Sequence, residues 1–409
     1  MTPATLAYVL ELLAFALGGT LLQGCLLWLS WRLLSRILPV SRPGLRYRIA
    51  SAHYALLAAL PLLTIAGFHL LFATMGGEIS REKPAVELAP LAHDATYLNL
   101  LAALAACWLL GVALHLAKLV GELRRLAALS LGAPPAALVA AVDRLRRRCG
   151  MAAGIEVRIA RVAGPQVVGL RRALLMVPAD FATGLAEAER EAVLLHELAH
   201  ARRRDFAWNL LQRLGLTLVW FHPAAWALYR GLAFEREAVC DAAAVGHGAA
   251  PGRLAQALLR LAEGSGRRTV AMASSGGAAL SERLHRLLAP AAAPASRLRR
   301  AAVAAGVLAV CGVAAGLAEP GLHAARMREL YIASGFGPTV VVNARDPAGR
   351  FALRIRQGRV VQASIEQHSV PAERIIQHGD TVVLLGSNRR PAVSLRVFPN
   401  GRIRWNARG

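Results

Sequence analysis

Two histidines and a glutamate in the order His196-Glu197-x-x-His200 form the clearest chemical pattern in this sequence. The apolar residues 192–195 just before them predict a helix. On a helix, residues four apart share a face, so both imidazoles can bind one zinc ion, with Glu197 beside them as general base. Bound zinc lowers the pKa of its water towards about 7, so such a site can hydrolyse amides at neutral pH. The alternative is a charged helix surface that carries histidines by chance.

A catalytic zinc site needs a third protein ligand, and a second predicted helix offers one. Glu237 and Asp241 are four residues apart and share a face of that helix. This spacing is similar to the Glu-x-x-x-Asp helix of zinc peptidases, where the glutamate binds metal and the aspartate orients a ligand histidine. A solvated acidic face is the alternative, but the apolar residues 242–245 that follow indicate burial. We predict Glu237 as the ligand; Glu235 competes, but has no aspartate at that spacing.

The composition indicates a membrane protein. The chain has 409 residues, of which 56% are hydrophobic, and a mean hydropathy of +0.42, too apolar for an ordinary soluble domain. A span takes about 20 residues. Four stretches reach that length or approach it, and the first lacks the basic region and cleavage site of a signal peptide. The predicted membrane helices are 6–34, 49–74, 97–120 and 301–318, of which the last is the shortest.

The arginines predict the orientation of these helices. Five of them lie in the loop 32–48, and further basic residues follow the third span and precede the fourth. The positive-inside rule places the N-terminus outside, residues from about 121 to 300 in the cytoplasm, and the tail after 319 outside. The apolar stretch 214–229 cannot be a further span, because His196 and Glu237 would then lie on opposite sides of the membrane. We predict a buried or membrane-grazing helical hairpin there, broken near Pro223.

Charge and cysteine usage narrow the function classes. The net charge of +23 invites a nucleic-acid interpretation, but much of the excess flanks the membrane spans, where it sets topology and contacts anionic lipid. We therefore expect no direct nucleic-acid binding. None of the five cysteines falls in a predicted outside region, so we expect no structural disulfide. Cys240 adjoins the ligand helix and could be mistaken for a zinc ligand; a packed small hydrophobic residue is the favoured interpretation.

Two short strands, 155–160 and 173–177, are predicted upstream of the zinc helix. The edge of such a sheet can bind an extended substrate peptide by strand addition and place one carbonyl over the metal.

The chain resembles a known family in several motifs. These are three membrane helices, the Gly-Pro-x-x-x-Gly-Leu stretch 164–170, the His-Glu-Leu-Ala-His-x-Arg-Arg-x-Asp run 196–205 and the Glu-x-x-Cys-Asp segment 237–241. Together they resemble the BlaR/MecR-type membrane metallopeptidases over about residues 1–320. The resemblance implies a gluzincin-like cytosolic domain between membrane helices three and four. It also implies direct or indirect cleavage of a DNA-binding repressor after an outside signal.

The resemblance also assigns site residues by position. His196, His200 and Glu237 bind zinc, and Glu197 is the base. Asp241 and Asp205 do not bind the metal directly but orient the histidines that do. From the residues themselves we add His222 as a candidate donor to the developing oxyanion.

The C-terminal tail departs from the family pattern. The antibiotic sensors end in a large penicillin-binding domain with a Ser-x-x-Lys nucleophile, but no lysine follows the fourth predicted helix here, so that acylation chemistry is excluded in this tail. Instead, turn residues separate short strand patterns, which predict a small outside β domain. His368 and His378 are isolated and are expected at its surface. The predicted strands are 339–343, 350–356, 359–364, 381–385, 393–398 and 402–405.

The sequence therefore predicts an α-helical membrane bundle of four transmembrane helices with an α+β gluzincin-like zinc peptidase domain and a small C-terminal β domain. The predicted parts are 1–120 (membrane domain), 121–300 (cytoplasmic zinc peptidase), 301–318 (fourth membrane helix) and 319–409 (extracytoplasmic β domain). The expected location is the inner, cytoplasmic membrane of the cell. The sequence leaves the oligomeric state open and permits a dimer.

The sequence is compatible with three functions. The first is a zinc endopeptidase that transduces an envelope signal by cleaving a cytosolic protein, in particular a DNA-binding repressor. The second is a membrane quality-control protease with a similar site. The third is a receptor or scaffold whose zinc is structural. A complete ligand set with Glu197 disfavours the third, because a structural site needs no base. The first two cannot be separated by the sequence.

Overall fold

The chain divides into two compact units, one formed by Met1–Leu22, Ala59–Leu109 and Val313–Gly409, the other by Gln23–Ala58 and Leu110–Gly312. All residues of the candidate site belong to the second unit. The computed structural model describes residues 3–74, 95–129, 131–265, 273–288, 304, 340–346, 349–356, 359–365, 368–378, 381–385, 391–397 and 403–406.

Three helices are long and apolar enough to cross a membrane: α1 (Pro3–Ile37), α2 (Pro43–Thr74) and α3 (Ala95–Ala127). Large apolar side chains point outward along them; Leu104 and Leu114 of α3, for example, are more than half exposed. Helices that are apolar on all sides are typical of membrane spans. Three of the four predicted spans are therefore confirmed as candidates. The fourth, 301–318, lies outside the described residues except for position 304.

The peptidase region combines a small sheet with helices that bury it. The sheet has the strand order β1-β3-β2, in which β1 (Glu156–Ile159) runs parallel to β3 (Leu174–Val177) and β2 (Gln166–Val168) runs antiparallel to it. The two predicted strands are confirmed as β1 and β3, whereas β2 was not predicted. Three residues are too few to show an alternating pattern. After β2 the chain turns at Gly169, whose φ of +108° favours glycine.

A common hydrophobic core joins this sheet to α4 (Ala136–Arg148), α5 (Glu187–Arg203) and α8 (Pro251–Ser265), and Ala244 also belongs to it. α5 is central, because every residue from Ala192 to Ala199 is buried. Its start is fixed by Glu189, whose carboxylate accepts the backbone N–H of Ala186 at 3.2 Å. Polar side chains on such a helix must find partners inside the protein.

The predicted hairpin is confirmed as α6 (Asp205–Leu218) and α7 (Pro223–Gly246). His222 caps the start of α7, where its Nδ1 accepts the backbone N–H of Ala224, and Pro223 occupies the first helical position. The turn between α6 and α7 packs against membrane helices: a Cβ added to Gly24 would meet His222, and one added to Gly111 would meet Trp220. The last described helix of the region is α9 (Ala273–Leu288).

The C-terminal part contains two four-stranded antiparallel sheets. Strands lie at all six predicted segments, and two more, β7 and β8, were not predicted. His368 and His378 are exposed, as expected. That this part is a separate domain outside the membrane stays a prediction. The strands are β4 (Val340–Asp346), β5 (Gly349–Arg356), β6 (Arg359–Ile365), β7 (His368–Val370), β8 (Ile375–His378), β9 (Thr381–Leu385), β10 (Pro391–Val397) and β11 (Ile403–Asn406).

Candidate metal centre

His196 and His200 lie one turn apart on α5, with their ring centroids separated by 4.8 Å. Their Nε2 atoms point towards each other at a distance of 3.1 Å. His196 is only 4% exposed. Two imidazole nitrogens that converge in a buried place need a proton or a cation between them.

Glu237 completes the cluster from α7. One carboxylate oxygen lies 3.4 Å from Nε2 of His196, and the other lies 3.7 Å from Nε2 of His200. Ligand atoms bound about 2.0–2.1 Å from a tetrahedral zinc ion are about 3.3 Å apart. The separations of 3.1, 3.4 and 3.7 Å therefore fit zinc with little movement. The structure thus brings the three predicted ligands together, and their binding of zinc stays a prediction.

A carboxylate stands behind each histidine. Nδ1 of His200 donates to Oδ2 of Asp205 at 2.9 Å, and Nδ1 of His196 lies 2.9 Å from Oδ1 of Asp241, an ion-pair distance without the alignment of a hydrogen bond. A carboxylate that accepts the Nδ1 proton leaves the lone pair of Nε2 free for a metal and fixes the orientation of the ring. Both residues thus lie where the sequence analysis expected them.

The position of Asp205 depends on a break in the chain. α5 ends because Arg204 has a left-handed backbone with φ 56° and ψ 42°, and α6 begins at the next residue. A continued helix would have rotated position 205 by about 100° further around its axis. The break instead directs the Asp205 carboxylate back to His200. Arg203 supports it, with its Nε 3.1 Å from Oδ2 of Asp205.

The electrostatics of the cluster favour a cation. Burial opposes protonation of His200, but its contacts with Asp205, Cys240 and Glu237 outweigh burial and raise the pKa of His200 well above its ordinary value. Burial likewise opposes ionisation of Glu237, but the two histidines hold the pKa of its carboxyl well below the usual range. The site is therefore built to keep positive charge between its carboxylates, and a divalent ion can replace the protons there.

Glu197 lies beside the cluster and is 8% exposed. Burial raises the pKa of its carboxyl, while the nearby charges of His196 and His200 oppose that rise. A carboxylate whose pKa is raised is a better general base than an ordinary carboxylate, because its affinity for a proton is higher.

Arg283 of α9 is a site residue that the sequence analysis missed. Its Nη1 lies 3.2 Å from Oε2 of Glu237, and its guanidinium donates two hydrogen bonds to Asp241, at 2.8 and 2.9 Å. One side chain therefore contacts two of the three acidic residues of α7, Glu237 and Asp241. No local pattern marks it, because its role depends on how α9 packs against α7.

The two alternative ligands are engaged elsewhere. Glu235 forms a buried ion pair with Arg46 at 2.8 Å and a second with Arg286 at 3.2 Å. Cys240 contacts His200 on its Nδ1 side, with Sγ 3.4 Å from that atom, whereas the Nε2 atoms meet Glu237. Burial raises the pKa of the Cys240 thiol to about 11. His200, Asp205 and Cys240 do lie close enough to form a second potential metal group, but Nδ1 of His200 already donates to Asp205.

The structure does not bring His222 to the metal cluster. It was expected as a donor near the metal, but it caps the N-terminus of α7 and packs against Gly24 of α1. Glu237 lies fifteen residues further along the same helix, which corresponds to about 20 Å. His222 is therefore a structural residue of the hairpin turn. Its residue type suits a donor to the oxyanion, but its distance from Glu237 along α7 is too large for that role.

Comparison with known proteins agrees with this geometry. A family model described as BlaR1 peptidase M56 matches residues 37–287. Over 80 residues, 20% of this chain, the sequence is 34% identical to the regulatory protein BlaR1 of Bacillus licheniformis. Over the same length it is 29% identical to the methicillin resistance mecR1 proteins of Staphylococcus aureus and Staphylococcus epidermidis. These matches span 13% to 14% of the length of the relatives. Since the family model covers more than half of the chain, the chain belongs to the BlaR1 peptidase M56 family of membrane metallopeptidases.

Proposed function

We propose that the chain is a membrane zinc endopeptidase that cleaves a cytosolic regulatory protein, in particular a repressor. The observation that carries the proposal is the convergence of His196, His200 and Glu237, with Glu197 buried beside them. A structural zinc site is usually closed by four protein ligands, whereas a catalytic one keeps a position open. Three protein ligands with a neighbouring carboxylate match the catalytic kind.

The chain's own residues supply binding, orientation and proton transfer. When bound, zinc supplies Lewis acidity, which polarises the scissile carbonyl and lowers the pKa of a water molecule. Glu197 takes a proton from the water as it attacks the carbonyl carbon, and passes that proton to the nitrogen of the leaving amine. Asp205 and Asp241 keep the two imidazoles in the required tautomer and orientation.

The sheet offers a place for the substrate backbone. In the order β1-β3-β2, the outer edge of β2 has no strand partner among the described residues. An extended peptide can add to such an edge through main-chain hydrogen bonds. This mode of binding requires an unfolded segment or an exposed loop in the target protein.

The cytosolic location follows from the arginine distribution of the spans, and the regulatory target from the relatives. One relative is named a regulatory protein, and the others are named for methicillin resistance. The signalling role, in which an outside event controls cleavage, belongs to the same proposal.

The test compares the cellular proteome of the wild type with that of Glu197→Gln. This substitution keeps the shape of the side chain and removes the base, so we expect the native target to accumulate uncleaved. Glu187→Gln is the matched control, because it makes the same chemical change at an exposed position of the same helix. One transcription regulator among the accumulating proteins supports the proposal. Many unrelated membrane proteins would favour quality control, and no difference would refute peptidase function.

A further inference from the structure

A cleft of about 580 Å³ opens beside the candidate metal centre. One wall is formed by the turn between β2 and β3, residues 169–173. The opposite wall is formed by the end of α5 and the start of α6, including His200 and Asp205. His200 belongs both to the lining of the cleft and to the cluster, so a peptide that lies at the cluster can place a neighbouring side chain in the cleft.

The cleft carries three arginines whose charge is not neutralised. Arg171, Arg172 and Arg204 all line it, and all are exposed. In the described part of the chain, none of the three guanidinium groups forms an ion pair or a hydrogen bond. Other arginines nearby differ in this respect, as the pairing of Arg203 with Asp205 shows.

The acidic residues of the cleft cannot balance this charge. Glu156 is paired with Arg158 at 2.7 Å, and Asp205 is occupied by His200 and Arg203. The free charge of the cleft is therefore positive. A concave surface with one sign of charge concentrates the field and attracts ligands of the opposite sign.

The backbone at Arg204 adds an independent observation. Among the described residues, Arg204 is the non-glycine residue with a positive φ. Glycine or asparagine ordinarily occupies such a left-handed position. An arginine there is conformationally unfavourable, which is expected where the side chain itself is needed.

We propose that this cleft selects substrates with acidic side chains close to the scissile bond. The proposal rests on the proposed function, since it assumes a peptide at the metal centre. Guanidinium groups bind carboxylates through paired, charge-assisted hydrogen bonds, which neutral amides cannot match. Because the three arginines are exposed, salt screens the interaction. The selectivity therefore appears in the binding of the substrate rather than in the chemical step.

The experiment measures binding separately from cleavage. Full-length zinc-loaded Glu197→Gln protein in a neutral detergent is titrated with fluorescent peptides that differ only in Asp and Glu against Asn and Gln. Three exposed charge pairs predict about tenfold tighter binding of the acidic peptide, with a ratio that falls as salt is raised. Equal affinity for the two peptides would overturn the proposal.

Variants identify the arginines responsible. In the Glu197→Gln background, Arg171→Ala, Arg172→Ala and Arg204→Gly should each reduce the preference. Arg161→Ala, an exposed arginine outside the cleft, should leave it unchanged. Arg204→Gly also separates binding from folding, because glycine relieves the left-handed backbone and should not lower the melting temperature. If the preference persisted in all three cleft variants, the assignment would be wrong.

Two further arms distinguish the remaining outcomes. Wild-type protein is assayed for cleavage of the same peptides. Selective binding without cleavage would support the basic cleft and count against the peptidase. Cleavage without a preference for acidic peptides would support the peptidase and overturn the assignment of the cleft. A short single-stranded DNA serves as an anionic competitor. If it bound more tightly than the acidic peptide and lost affinity in the same variants, the peptide assignment would be overturned in favour of a nucleic-acid ligand.

Discussion

The carboxylate of Asp205 accepts a hydrogen bond from Nδ1 of His200 at 2.9 Å, five residues along the chain and across a break between two helices. Asp241 lies at the same distance, 2.9 Å, from Nδ1 of His196, but as an ion-pair contact without the alignment of a hydrogen bond. In this arrangement the Nε2 atoms of both imidazoles face the carboxylate of Glu237.

The first prediction follows from this arrangement. Asp205→Asn should weaken zinc binding by about 10- to 100-fold, because the amide is a poorer acceptor for the Nδ1 proton and lowers the basicity of His200. The measurement is zinc affinity by competition with a chelator, which does not depend on activity. Asp180→Asn, at an exposed position of the same region, is the control. Equal affinities of the two variants would show that Asp205 does not support the metal.

The second prediction concerns the identity of the ligands. Purified protein should carry about one zinc per chain, measured by elemental analysis after removal of free metal. Glu237→Ala should lose this zinc, whereas Glu197→Gln, Cys240→Ala and His222→Ala should retain it. Retention by Glu237→Ala together with loss in Cys240→Ala would move the site to the second group, formed by His200, Asp205 and Cys240.

The third prediction concerns the buried ion pair of Arg46 and Glu235, whose side chains are 4% and 3% exposed. Glu235→Ala should lower stability by about 3–5 kcal/mol, because it removes the main counter-charge of the buried Arg46. The double variant Arg46→Met, Glu235→Leu should be much closer to the wild type. Thermal unfolding in detergent measures both.

Glu282→Ala is the control for this pair. Glu282 is 53% exposed and bonds Arg286 through a surface contact, so its loss should cost no more than about 0.5 kcal/mol. A Glu235→Ala protein as stable as this control would contradict the prediction.

The fourth prediction tests how the α6–α7 turn docks on α3. Gly111→Ala should lower the melting temperature, because the added methyl group would collide with the indole ring of Trp220. Gly121→Ala, on the same helix, adds a methyl group in open space and should be neutral or slightly stabilising. Similar melting temperatures for the two variants would mean that the turn does not pack there.

The fifth prediction concerns topology. A reporter that is active only in the cytoplasm should work when fused after Arg148 and fail when fused after Arg356, as the positive-inside rule requires. The opposite pattern would place the peptidase region outside the membrane.

The sequence predicted the parts of the site that depend on local spacing. Residues four apart on one helix must share a face, so the pairing of His196 with His200 and of Glu237 with Asp241 could be read directly. The hairpin near Pro223 was also predictable, because a long apolar run had to remain on one side of the membrane. Strands β1 and β3 had enough residues to show their pattern.

The parts that were missed depend on packing between distant segments. Arg283 reaches Glu237 only because α9 lies against α7, and nothing in its neighbours along the chain indicates this. Arg46 is similar: it was interpreted as a topology signal in a membrane-flanking loop, yet it is buried against Glu235. His222 was misplaced for the converse reason, since its chemistry was suitable but its position on the helix was not.

The contacts of Arg46 join the peptidase region to the candidate membrane helices. Its guanidinium also donates to the backbone carbonyls of Ser35 and Leu38 at the end of α1. One side chain of α2 therefore joins α1 to Glu235 of α7, two residues from Glu237. The peptidase region thus completes its own interior with residues from the spans. A fragment cut free from these helices would retain His196, His200 and Glu237 but lose the contacts of Arg46 with Glu235, Ser35 and Leu38. Residues at the ends of the candidate membrane helices α1 and α2 are therefore part of the packing of the peptidase region.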